Sequence, residues 1–66
     1  MAFNIDPAVK AQLLAERIQQ LNLEGYQHEL NLKTAQALGN TEAVTQAQEA
    51  IAIITTAITI AEQELN

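Results

Sequence analysis

The chain has 66 residues, with eight Asp and Glu against three Lys and Arg and a formal net charge of −5. A chain of this length holds at most one small domain, and with no Cys a disulfide framework and a thiolate metal site are excluded. Three basic residues neutralise few phosphates, so a basic nucleic-acid surface is not expected, and an apolar fraction of 48% is too high for a chain disordered by composition.

The opening Met1-Ala2-Phe3-Asn4-Ile5-Asp6 has neither the basic start nor the long apolar stretch of a signal peptide. The longest uncharged, mostly apolar run extends from Ala50 to Ala61 and is interrupted by Thr55, Thr56 and Thr59. A membrane-crossing helix needs roughly 20 such residues. The expectation is therefore a soluble cytoplasmic protein without a membrane partner.

Asp6-Pro7 reads as a helix start: the Asp carboxylate accepts from a free backbone N–H, and Pro is tolerated at the first helical position because its missing N–H would be unpaired anyway. Good helix formers follow to Leu38, where Gly39-Asn40 breaks the pattern. Asn40 or Thr41 caps a second helix, with Glu42 favourable near its positive end. The reading is all-α: residues 1–6 an extension, helices over about 7–38 and 42–64, a turn at 39–41, and one hairpin domain over 1–66. Ile51 to Ile60 is rich in β-branched residues, which favour strands. It is read as helix because its apolar spacing continues the helical repeat and a strand there has no partner in the chain.

Both helices carry an apolar stripe stepping by alternating threes and fours, the roughly 3.5-residue period of a coiled-coil seam. On the first it runs Leu14, Ile18, Leu21, Gly25, His28, Leu32, Ala35. On the second it runs Val44, Ala47, Ile51, Ile54, Ile58, Ala61, Leu65. Folding antiparallel at Gly39-Asn40 sets Leu32 against Ala47, Gly25 against Ile54 and Ile18 against Ala61. Large residues face small ones, so the layers interdigitate.

Further apolar residues lie off the seam: Leu23, Tyr26, Leu30 and Ala37 on the first helix, Ile53 and Ile60 with Ala50 and Ala57 on the second. The first helix outruns the second, leaving Phe3, Ile5, Val9 and Leu13 as an apolar overhang. Burying one large apolar side chain is worth roughly 1.5–3 kcal/mol, and a core below about 70–80 residues rarely supplies more than about 3–5 kcal/mol. The pattern therefore predicts self-association, with a two-fold dimer forming a four-helix bundle as the default; a trimer or a larger ring would also use the two-sided helices. The oligomer or partner surface is read as Phe3, Ile5, Val9, Leu13, Leu23, Tyr26, Leu30, Ile53 and Ile60.

The chemistry-bearing residues are sparse. His28 falls on the seam opposite Ile51, either as a packed layer histidine or as a group whose protonation would loosen association. Glu24 and His28 are four apart with Glu29 adjacent, but di-metal bundles use Glu-x-x-His and inward carboxylates that the second helix lacks. Gly25 mid-helix marks either a close helix approach or a kink. Ser and Cys are both absent, and no phosphate loop or zinc spacing occurs. No catalytic, cofactor or metal residue is therefore assigned and no enzyme is expected. The acidic residues read as a solvated outer face, with Glu62 and Glu64 placed to meet Lys10 or Arg17 across the hairpin end.

In layout alone the helix–turn–helix resembles the plasmid Rop-type RNA-binding dimer, which would imply a nucleic-acid-associated regulator. No residue motif is shared and the basic face is missing. Gly39 to Ile51, through Ala43, Ala47 and Ala50, resembles the second helix of a tetratricopeptide repeat. The first helix is too long for that repeat, and one repeat does not fold alone. The functional expectation is a non-enzymatic interaction or adaptor protein that associates with itself. A structural subunit of a larger phage or bacterial assembly is the first alternative and a Rop-like regulator the second.

Overall fold

The computed structural model describes residues 3–66. Two helices, α1 (Pro7–Leu38) and α2 (Thr41–Leu65), pack against each other as an antiparallel hairpin. Met1 and Ala2, part of the expected extension, lie outside the described residues.

Local chemistry sets each boundary. The Asp6 carboxylate accepts from the Ala8 N–H at 2.8 Å, and Pro7 occupies the first helical position. At the other end Gly39 adopts φ 69°, a left-handed conformation that costs an L side chain roughly 1–2 kcal/mol. The Gly39 N–H donates to the Gln36 carbonyl and the Asn40 N–H to the Ala35 carbonyl, the paired bonds of a Schellman closure. The Asn40 side chain then accepts from the Ala43 N–H at 3.1 Å. Asn40, not Thr41, is thus the cap. The turn is shorter than the expected 39–41, and α2 extends one residue beyond 42–64 at each end.

The β-branched Ile51–Ile60 segment is helical throughout. Thr56 and Thr59 donate their hydroxyls to the carbonyls of Ala52 and Thr55, each at 3.0 Å, so these groups are satisfied inside the helix.

α1 runs through Gly25 without interruption, so this residue does not break the helix. A Cβ built there would lie 3.4 Å from Ile54 Cγ2. That is the near edge of ordinary van der Waals contact, so the helices meet here in the expected pairing with Ile54 at a spacing that does not require glycine.

The core is thin. Leu21, Ala35, Ala47, Ile54 and Ala61 are the buried apolar residues, and three of these five are alanines. No side chain is completely enclosed among the described residues. The hairpin is a rod of 48 × 18 × 15 Å with a radius of gyration of 15.2 Å, against about 11 Å for a compact domain of this length.

Candidate functional site

The seam occupies one edge of each helix. Leu14, Ile18, Gly25, His28 and Leu32 on α1 and Val44, Ile51 and Ile58 on α2 are half-buried between the five core residues. Leu65 departs from the expected seam: it is 46% exposed. It borders a groove with Leu14, Pro7 and Lys10, but as the last helical residue it has no following turn of α2 to cover it. The packed seam closes at Ala61.

The nine residues read as an association surface are all large apolar side chains left exposed, and they form three groups. On α1, Leu23 and Leu30 each sit two residues from a seam position, about 200° around the helix, so they point directly away from α2. Tyr26 lies between them on the neighbouring row. On α2, Ile53 and Ile60 with the half-buried Ala50 and Ala57 continue one flank of the seam outward. The third group lies at the open end. There Phe3 and Ile5 turn back to line, with Lys10, Leu13, Leu14 and Glu64, a groove of about 210 Å³. Phe3 remains 85% exposed despite this. Val9 stands on the outer row of α1, seven residues and one heptad repeat removed from Glu16.

Leu38, 76% exposed at the end of α1, belongs with these residues and was missed by periodicity. Its signal was its place beside the Gly39 break, where the helix presents its last side chain with no turn beyond.

The polar chemistry is confined to the edges. Lys10 Nζ lies 3.9 Å from Glu64 Oε1, the expected cross-hairpin pairing of α2's acidic end. With both side chains more than a third exposed this pair contributes little stability. Arg17 and Lys33 form no ion pair within 4.0 Å among the described residues. His28 lines an open groove of about 310 Å³ with Asn31, Ala43, Gln46 and Ala47. Among the described residues no group of three or more His, Asp or Glu is arranged to hold a metal ion.

α2 is also long and apolar enough, by length and composition alone, to cross a membrane. The uncharged run from Ala50 to Ala61 is too short by itself, because Glu49 interrupts the apolar stretch. A mostly buried core helix of a water-soluble protein meets the same criterion, but within the hairpin only 11% of the apolar window of α2 is buried.

Comparison with protein-family models, with curated proteins and with solved structures finds no match to this chain.

Proposed function

We propose that this protein is a non-enzymatic helical hairpin that associates with copies of itself and serves as an interaction module. The observation that carries this reading is an excess of accessible surface. A compact monomer of 7.2 kDa exposes about 4,100 Å², whereas the hairpin exposes 5175 Å². Covering the excess of about 1,000 Å² on each of two chains gives an interface near 2,000 Å², where obligate homodimers begin. The exposed leucines, isoleucines and Tyr26 supply the apolar atoms such an interface buries.

The same apolarity gives α2 its membrane-like composition, and helix packing accounts for it better than lipid. Glu49 lies about one turn from the midpoint of α2, where a charged side chain in the bilayer costs about 2.5–3.5 kcal/mol. In the hairpin that carboxylate is in water. Four glutamates without a basic residue on α2 likewise disfavour the Rop-like reading, because phosphates would be repelled.

Light scattering coupled to size exclusion tests the proposal. The expected mass is at least twice 7.2 kDa, dissociating on dilution together with loss of helical signal. A folded 7.2 kDa species persisting at high concentration would refute self-association.

A further inference from the structure

We infer that copies join heterologously, with the outer face of α1 (Leu23, Tyr26, Leu30) packing on the outer flank of α2 (Ala50, Ile53, Ala57, Ile60) of the next copy. Rows or closed rings result, in place of a two-fold dimer; the inference rests on the self-association proposed above.

Three observations carry it. First, the two patches are on different helices and face different directions. A single two-fold contact buries one of them and leaves the other wet. A patch on each side of every copy is the arrangement that a head-to-tail contact requires, and such contacts produce rings or open filaments.

Second, the patches complement each other in size. The α1 patch is uniformly large, whereas the α2 patch alternates alanine and isoleucine at heptad spacing. In antiparallel register, Leu23 meets Ile60, Tyr26 meets Ala57 and Leu30 meets Ile53, so the bulkiest side chain lies over a methyl group. Two α1 patches could seat Tyr26 only over Ala37, in a register that sets Leu30 against Lys33 and Leu23 against Asn40.

Third, the charges are divided between the helices. Lys10, Arg17 and Lys33 all lie on α1, where Glu16, Glu24 and Glu29 balance them. α2 carries Glu42, Glu49, Glu62 and Glu64 and no basic residue. Pairing α2 with α2 sets acidic helices side by side. Pairing α2 with α1 sets it instead against a helix of balanced charge and brings Lys33 level with Ala50, next to Glu49.

Two double variants test the inference: Leu23→Lys with Leu30→Lys, which spoils the α1 patch, and Ile53→Lys with Ile60→Lys, which spoils the α2 patch. The unaltered chain is expected to exceed dimer mass. Each variant alone is expected at 7.2 kDa, and an equimolar mixture at double that mass, since one intact patch of each kind remains. Circular dichroism of the same samples covers variants that unfold when alone: helix regained on mixing supports the pairing equally. The inference is overturned if either variant alone still dimerises, if mixing changes neither mass nor helicity, or if the unaltered chain stops at a dimer. That last result leaves self-association intact, whereas an unaltered chain that is always monomeric removes both.

Discussion

Gly25→Ala is the sharpest probe of the helix contact. In a helix interior, alanine is favoured over glycine by about 0.8–1.0 kcal/mol. Against that gain stands the new methyl group, whose carbon would lie 3.4 Å from Ile54 Cγ2. Carbon atoms are best separated by about 3.5–4.0 Å, so the contact is slightly tight and a small adjustment of Ile54 relieves it. The net expectation is a stabilisation of about 0.5–1 kcal/mol. For a domain of this size, that raises Tm by roughly 2–8 °C. Thermal unfolding followed at 222 nm reads the effect, with both proteins at one matched concentration because association is linked to folding. Gly25→Leu is the control: it overpacks the seam and is expected to cost about 1–3 kcal/mol. A lower Tm for Gly25→Ala would show that the helices lie too close for any Cβ, and would refute the reasoning.

Three other outcomes are expected. Gly39→Ala should destabilise by about 1–2 kcal/mol in denaturant titrations, since nothing lies within 4 Å of its added Cβ and only the positive φ is strained; Gly39→Asn should recover part of the loss. Ile54→Ala removes one of the two large buried side chains and should cost about 2–5 kcal/mol, enough to abolish a cooperative thermal transition; an unchanged melt would mean that the seam is not the core. In flotation with phosphatidylcholine vesicles the protein should remain in the aqueous fractions, and co-flotation would assign the apolar flank of α2 to lipid.

What could be read without coordinates was whatever is decided over a few residues or by period. Asp6-Pro7 and Gly39-Asn40 carry their geometry in their own chemistry, so the helix ends followed within a residue. The β-branched stretch from Ile51 had the wrong propensity for helix, yet its heptad phase was unbroken and its threonine hydroxyls found carbonyls within the helix. Chain ends were less legible. Leu65 has the phase of a seam residue but lacks the covering turn that phase presupposes, and Leu38 owes its exposure to the turn beside it. Phe3 and Ile5 precede α1, in a segment with no period from which their return toward Leu13 and Leu14 could be inferred. The association surface was visible as leftover apolar residues. Their division between the back of one helix and the flank of the other became apparent only with both helices placed.

Asn40 belongs to both helices at once. Its N–H terminates α1 on Ala35, its side chain starts α2 on Ala43, and its own carbonyl accepts from Val44 at 3.0 Å. Fraying at the tip therefore cannot begin on one rod and spare the other. Loosening the last turn of the first withdraws the anchor of the second, so the bend works as a shared hinge pin. Amide protons on either side of it should exchange with solvent in concert, while the open end, where none of the described residues serves both rods in this way, loosens independently.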